Sequence, residues 1–354
     1  MPCLDAMTDE HRDDLMALAA GMYGAPVCAM TPAGQGGNNR IYRVEAGGDI
    51  LALKAYPPNE TSIANGASAR LDAEFAALRF LTDAGIKCVP IPHARASDGY
   101  HGIYQWIDGS PIDNPDDQDI DAASDFAQCL KTLSADPSAP SLGLAREACL
   151  SASELLRQVE ARFERLRHAA ANHQQLARFL NEFIEPAFAA SRKQMVQGYL
   201  DAKLNIDDDI ETGLRTLSPS DFGFHNAIRH VDGSLVFIDF EYFGWDDPVR
   251  LVADFVLHPG MNLGQEHGAR FMRRALDIYD DDDNFALRLS LLYPLVVLRW
   301  CLILLNEFLP EKWENRTFAG TSDTVETVQE RQLEKASAML ARIHQPPMSF
   351  KHAP

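Results

Sequence analysis

At 354 residues, with 46% hydrophobic and 23% charged residues, the chain has the composition of a soluble globular protein long enough for two domains or one two-lobed unit. Its 32 basic residues stand against 51 acidic ones, and the formal charge of −19 disfavours nucleic acid and anionic membranes as partners, because both require a basic footprint. The same excess tilts towards a cationic small molecule as partner, and serves equally as a plain solubilising surface.

Six cysteines (Cys3, Cys28, Cys88, Cys129, Cys149, Cys301) form no CxxC pair and lie near no histidine cluster, so neither zinc nor a disulfide framework is expected. The first residues, MPCLDAMTDEHRDDL, are acidic and lack the basic and apolar regions of a signal peptide, which points to a cytoplasmic protein. The segment Leu289 to Leu305 is the most membrane-like, but Pro294 and Arg299 interrupt it and favour a buried core helix.

In chain order, Asp9 to Tyr23 reads as a short amphipathic helix and Val27 to Thr31 as a strand. The run Gly34-Gln35-Gly36-Gly37-Asn38-Asn39, followed by the β-prone Arg40 to Val44, reads as a hairpin turn between two strands. No Gly-Lys-Ser/Thr follows, so it is not a Walker loop, and Asn39 stands where a dinucleotide fingerprint needs its third glycine. Standing alone it would be a flexible hairpin; in company it could fold over phosphates, offering backbone N–H groups.

Asp49 to Tyr56 is a third strand, on which Ile50, Ala52, Lys54 and Tyr56 share one face. A lysine inside such a strand needs an anionic partner if buried, or must snorkel to water from an edge. Ser68 to Ala84 is a helix ended by Gly85, with Leu71, Phe75, Leu78 and Leu81 as its apolar stripe. Glu74 points along that stripe and is the natural partner of Lys54. Strands near Cys88 to Ala94 and Gly102 to Ile107 lead to the turn Asp108-Gly109-Ser110-Pro111, where a smaller N-terminal part ends.

From Asp119 to Leu200 the pattern is helical, and helices resume at Leu251 to Leu257, Gly268 to Tyr279, Ala286 to Leu309 and Thr324 to Ile343. The acidic runs Asp207 to Asp209 and Asp280 to Asp283 lack the EF-hand spacing and read as solvated turns. Between the helical stretches lies Ser218-Pro219-Ser220-Asp221-Phe222-Gly223-Phe224-His225-Asn226, then the apolar run Leu235 to Ile238 closed by Asp239. A carboxylate to orient an attacking hydroxyl, with an Asn and a second Asp to hold Mg²⁺ on phosphates, is what phosphoryl transfer needs.

Taken together, order and spacing resemble the protein-kinase-like fold, and within it the aminoglycoside phosphotransferase and choline kinase superfamily. The resemblance rests on "SPSDFGFHNAI" and "VFIDFEYFGWDDP", and more weakly on "LALKAY", "DAEFAALRFL" and "GIYQWIDGSPI". It implies an α+β, bilobal fold: a small antiparallel β N-lobe with one main helix over 1–108, and a larger helical C-lobe over 109–354 holding the catalytic loop and acceptor pocket. By the same resemblance, Lys54 would contact the α- and β-phosphates, held by Glu74. Gly34, Gly36 and Gly37 would cover the phosphates, and backbone groups from Gln105 to Ile107 would bind the adenine at the hinge. Asp221 would be the catalytic base or orienting group, and Asn226 and Asp239 would ligate Mg²⁺. The expected cofactors are ATP, with GTP as the other candidate, and Mg²⁺.

The letters Asp221-Phe222-Gly223 spell the metal-binding triplet of protein kinases, but Asn226 follows at catalytic-loop spacing and the strand ending in Asp239 comes later, so Asp221 is read as the catalytic residue. Two departures mark a divergent member: Pro219-Ser220 replace the family's His-Gly, and Leu251 stands where an Asp usually follows the Gly-Asp-Pro segment, with Asp254 as a substitute brace or a plain helix-surface residue. No Ala-Pro-Glu element follows Asp239, which favours a small-molecule hydroxyl acceptor over a protein. The expected activity is an ATP- and Mg²⁺-dependent phosphotransferase acting on an aminoglycoside-, choline- or sugar-like hydroxyl. The competing reading is a nucleotide-binding regulator without turnover. Nothing in the sequence fixes an oligomeric state.

Overall fold

Five strands pair antiparallel in the order β1-β2-β3-β5-β4: β1 (Val27–Gln35), β2 (Arg40–Ala46), β3 (Asp49–Ala55), β4 (Pro92–Arg95) and β5 (His101–Gln105). The structure is a computed structural model, and it describes residues 9–35, 39–56, 67–261, 263–310, 324–346 and 348. Alternation along β3 divides the two faces of the sheet. Leu51 and Leu53 join Met30, Tyr42, Val44 and Ile103 in one core with Leu15 and Ala19 of helix α1 (Asp9–Tyr23). Tyr56, on the other side of the alternation, packs with Ala67 and Leu71 of helix α2 (Ala67–Asp83).

Helix α2 stops as its sequence foretells. Gly85 has φ 83, a left-handed value that only glycine adopts cheaply, and Ile86 N–H reaches back to Leu81 O at 3.0 Å. Gly102 is opposite Lys54 in the β3–β5 register. A Cβ there would come within 2.6 Å of the Tyr104 hydroxyl and 2.9 Å of Leu71 Cδ1, so the bare backbone is what admits both side chains.

The chain divides into two compact units, Met1–Pro115 with Gln128–Glu147 and Leu217–Trp245, and Asp116–Ala127 with Ala148–Thr216 and Asp246–Pro354. The sheet unit thus includes the stretch around Asp221 and Asp239 as well as the N-terminal strands. A three-stranded sheet in that unit joins β6 (Gly109–Pro111), β8 (Ala227–His230) and β9 (Leu235–Phe237); β7 (Thr216–Ser218) and β10 (Gly244–Asp246) bracket the region.

Helix α3 (Asp117–Leu133) contributes to both units. The second unit is otherwise helical: α4 (Ala152–Ala170), α5 (Gln174–Phe179), α6 (Glu185–Asp201), α7 (Pro248–Leu257), α8 (Gln265–Ile278), α9 (Phe285–Leu304) and α10 (Val325–Ala341). Helix α9 packs against α4, α6, α7 and α10 and is mostly apolar for that reason, with Arg288 and Arg299 buried among its apolar residues. Phe285–Phe308 has the length and hydropathy of a membrane span, but 67% of its most apolar window is buried inside the protein.

Two expectations change here. Asp254 is not on a helix surface: it is 6% exposed and accepts from Arg250, Arg299 and the Trp300 indole, the last at 2.8 Å. The run Asp280 to Asp283 is not uniformly solvated, because Asp282 turns inward and pairs with Arg288 at 2.6 Å. The sequence places Arg250 and Arg288 close by, but only the packing of the helices shows that the pairs are buried.

Candidate active site

Lys54 sits near the end of β3, opposite Ile41 and Gly102, and is 6% exposed. An ammonium so buried is tolerable only with anionic partners. It has them: Glu74 Oε2 at 2.7 Å, Asp239 Oδ1 at 2.5 Å and Glu241 Oε2 at 3.6 Å. Burial by itself would favour the neutral amine, but the three carboxylates outweigh it and raise the Lys54 pKa well above its ordinary value.

Glu74 projects from α2 towards β3, as the stripe position predicts. One oxygen is shared by Lys54 and the Tyr56 hydroxyl, which in turn meets the Tyr104 hydroxyl at 2.9 Å. The other accepts the backbone N–H of Phe240 at 3.3 Å, directly after Asp239. Glu74 therefore fixes the lysine and the backbone beside Asp239 at once.

Asp221 and Asp239 are brought together by the β8–β9 hairpin. Ala227 pairs with Phe237, and Ile238 N–H donates to Asn226 O at 2.9 Å, so the residues flanking the hairpin lie side by side. The reversal is made by Asp232 and by Gly233 at φ 90; Asp232 Oδ1 accepts the Ser234 N–H at 2.9 Å. Asn226 Nδ2 donates to Asp221 O at 3.0 Å and to Asp221 Oδ2 at 3.2 Å. His225 Nε2 lies 3.0 Å from Asp221 Oδ1.

Of the four non-glycine residues with left-handed backbone among the described residues, two lie here, Ser220 at φ 67 and Asp239 at φ 66. Strain of this kind costs about 1–3 kcal/mol at a non-glycine residue and persists only where neighbours enforce it. Ser220 occupies the place where the resemblance expects glycine, which explains why that position matters. Its N–H donates to Ser218 Oγ and its hydroxyl to Arg146 O, both at 3.0 Å. Asp239 keeps 33% of its side chain exposed. Burial raises its carboxyl to about 6, with Glu74 and Glu241 adding to the effect against the pull of Lys54.

The structure thus joins Lys54, Glu74, Asp221, Asn226 and Asp239 through one strand, one helix and one hairpin. Gly34 falls in β1, whose Gln35 pairs with Arg40; Gly36 and Gly37 lie outside the described residues. Gln105 has its N–H committed to Ile91 O at 2.8 Å within the sheet, whereas Ile107 follows the strand in irregular chain.

Several participants were missed in the sequence. Glu241, 3% exposed, accepts from Asn39 Nδ2 at 2.7 Å and pairs with Arg70 at 3.4 Å. The Arg146 guanidinium lies 4.5 Å over the Tyr242 ring. Trp245 N–H donates to Gly143 O at 2.9 Å, and Ala145 N–H to Trp245 O at 3.0 Å. A Cβ on Gly244 would approach this backbone to 2.4 Å, so glycine permits the close pairing. A cavity of about 460 Å³ is lined by Arg70, Leu144, Arg146, Glu241, Tyr242 and Phe243, among others. Arg70 could have been suspected, since it stands one turn before Glu74 on the same face of α2.

Residues 29–289, well over half of the chain, match the family model described as the phosphotransferase enzyme family, APH. No curated protein matches the sequence. Among solved structures, the spectinomycin phosphotransferase APH(9)-Ia, in complex with ADP and spectinomycin, is similar at 13% identity and a TM-score of 0.61, covering 92% of this chain and 98% of that one. The gentamicin-bound APH(2")-IIa aligns at 16% identity and a TM-score of 0.56, over 97% of both chains. The choline kinase LicA from Streptococcus pneumoniae aligns at 14% identity and a TM-score of 0.55, over 94% of this chain and 99% of its own. These likenesses carry the kinase-like fold, a mixed α/β architecture with an antiparallel N-terminal sheet and a helical C-terminal part. The chain belongs to the phosphotransferase enzyme family, as a small-molecule phosphotransferase.

Proposed function

We propose that the protein is an ATP- and Mg²⁺-dependent kinase that transfers the γ-phosphoryl group to a hydroxyl of a small molecule. The observation that carries this reading is Lys54, bridging Glu74 and Asp239 at 2.7 and 2.5 Å, in the same unit as the Asp221–Asn226 loop. Phosphoryl transfer requires positioning and charge neutralisation more than covalent help. The spectinomycin enzyme's ADP complex is consistent with a nucleotide donor.

In this reading Lys54 holds the α- and β-phosphates, and Glu74 keeps its ammonium in place. Ile107 contributes a hinge N–H to the adenine, and Gln105 contributes its carbonyl, because its own N–H is committed to the sheet. Asp221 accepts a hydrogen bond from the acceptor hydroxyl, orienting it for attack, and receives its proton as transfer proceeds. His225 and Asn226 hold the Asp221 carboxylate from two sides.

The donor set fits Mg²⁺. Asn226 donates to Asp221 through Nδ2, which leaves its Oδ1 as a hard oxygen for the ion, and the partly exposed Asp239 carboxylate supplies another. When bound between these residues and the phosphates, Mg²⁺ would supply charge neutralisation. The cavity beside Glu241 and Arg146 supports a small acceptor, since Arg146 O holds the Ser220 hydroxyl next to Asp221.

Purified protein incubated with ATP, Mg²⁺ and a panel of amino-alcohols, sugars and aminoglycosides tests the reading. Acceptor-dependent ADP release is the expected result. ATP binding without turnover on every acceptor would favour a regulator over an enzyme.

A further inference from the structure

Glu241 is a carboxylate that the transfer steps above do not use. An ionised carboxylate buried to this degree is expensive unless charge and hydrogen bonds meet it. Four groups from separate places in the fold do so. Asn39, immediately before β2, donates from Nδ2 at 2.7 Å, and Lys54 of β3 is 3.6 Å away. Arg70 of α2 is 3.4 Å from the other oxygen, and the phenol of Tyr242 donates a further hydrogen bond. Arg70 also donates to Asn39 Oδ1 at 3.4 Å, and Asn39 is itself 8% exposed, so the contacts close into a buried ring.

Position gives the ring its meaning. Residues 40 and 41 pair with Ala55 and Lys54, so whatever fixes Asn39 fixes the strand beside the lysine. Of the three carboxylates around Lys54, Asp239 has 33% of its side chain exposed, while Glu74 and Glu241 have 5% and 2%. Asp239 is the partner open to an incoming ligand; the other two are built to stay.

We propose that Glu241 is a positioning residue of the nucleotide site, clamping the start of β2 to Lys54 and α2 so that the ammonium keeps its place when Asp239 turns to other partners. This rests on the kinase reading above, and it adds a second buried carboxylate to Glu74 as an anchor for Lys54.

The test uses Glu241→Gln, Asn39→Asp, the double exchange Asn39→Asp/Glu241→Gln, and Asn39→Ala. Each is titrated with ADP by calorimetry, with and without Mg²⁺, and the thermal unfolding of the ligand-free protein is measured alongside. Glu241→Gln removes the charge opposite Lys54 and Arg70, and Asn39→Asp sets two carboxylates against each other. Either should weaken ADP binding by roughly tenfold or more, as expected for a buried charge-assisted hydrogen bond. The double exchange restores a donor–acceptor pair with its roles reversed and should recover most of the affinity lost in Asn39→Asp. Asn39→Ala, which introduces no new charge, should bind several-fold more weakly while unfolding close to the wild-type temperature.

Single variants that unfold early yet bind ADP with wild-type affinity would reduce Glu241 to a packing role and overturn the proposal. So would a double exchange that binds no better than Asn39→Asp. Wild-type affinity for ADP tests the kinase reading, and the ratio of variant to wild-type affinity tests Glu241, so the two fail by different measurements.

Discussion

Each compact unit buries an ionic cluster, and the two clusters are built on different cations. In the helical unit Arg250, Arg288 and Arg299 are enclosed by Asp246, Asp247, Asp254 and Asp282, and all seven residues are 8% exposed or less. In the sheet unit the central cation is Lys54, and one of its carboxylates, Asp239, stays one-third open. A guanidinium is a rigid fork that suits a closed, permanent arrangement. An ammonium is a compact point charge that can exchange a carboxylate for a phosphate without a change of geometry. The first cluster is closed on every side; the second leaves one carboxylate open, as the proposed nucleotide site requires. Partial exposure of one member, and not the density of charge, separates them.

Breaking the closed cluster should have the largest effect on stability. Arg288 pairs with Asp247, which also caps α7 by accepting the Val249 N–H at 2.8 Å, and with Asp282. Arg288→Ala would strand two buried carboxylates and should destabilise the protein by about 3–5 kcal/mol in urea unfolding. A loss below about 1 kcal/mol would mean that the cluster is not the brace described. The same operation on the open cluster should act the other way. Asp239→Asn leaves Lys54 with Glu74 and Glu241, and asparagine tolerates the left-handed backbone. Its ligand-free stability should be unchanged or raised, while Mg²⁺-dependent nucleotide affinity falls by roughly tenfold or more. Marked destabilisation without any change in affinity would place Asp239 in the structural class.

Smaller effects sharpen the contrast. Ser220→Gly relieves a left-handed serine but surrenders its bond to Arg146 O, so stability should shift by no more than about 1 kcal/mol either way. A large loss on calorimetric unfolding would show that the serine hydroxyl, not the backbone, is what the position needs.

Acidity reports on the closed cluster. Asp246 is raised to about 6, burial being the first cause. The folded protein therefore holds a proton that the unfolded chain would release. The contribution to stability is full below the ordinary carboxylate range and is lost as pH rises through 6. The ligand-free unfolding temperature should be higher at pH 5.5 than at pH 7.5, and Asp246→Asn should shrink the difference. Exposed carboxylates held low, such as Asp232 at about 2 through its Ser234 hydrogen bonds, titrate below this window.

The grouping of the candidate site's residues was legible in the sequence because its parts are local. A lysine on a period-two strand, a glutamate on a helix stripe, and an Asp and Asn five apart before a hairpin each carry a short-range signal. The antiparallel order of the first strands follows from the same tight turns. What could not be read is what depends on distant pairing. Asn39 and Glu241 are 202 residues apart, and only the fold reveals that one completes the other. Asp254 could be read as a helix-surface residue and Asp282 as solvated although Arg250 and Arg288 lie only four and six residues away, because the burial of those pairs depends on how the helices pack. Ser220 looked like a lost glycine, but the backbone kept the glycine-like conformation and the neighbourhood supplied the bonds to hold it.

The measurement that bears most directly on the whole account is phosphoryl transfer by Asp221→Asn, run with saturating ATP and Mg²⁺ on an acceptor identified by the panel. Transfer should fall by roughly 10²–10⁴-fold, the range for a lost general base, with ADP affinity close to wild type. Transfer at the wild-type rate would remove Asp221 from the mechanism and contradict the site as drawn.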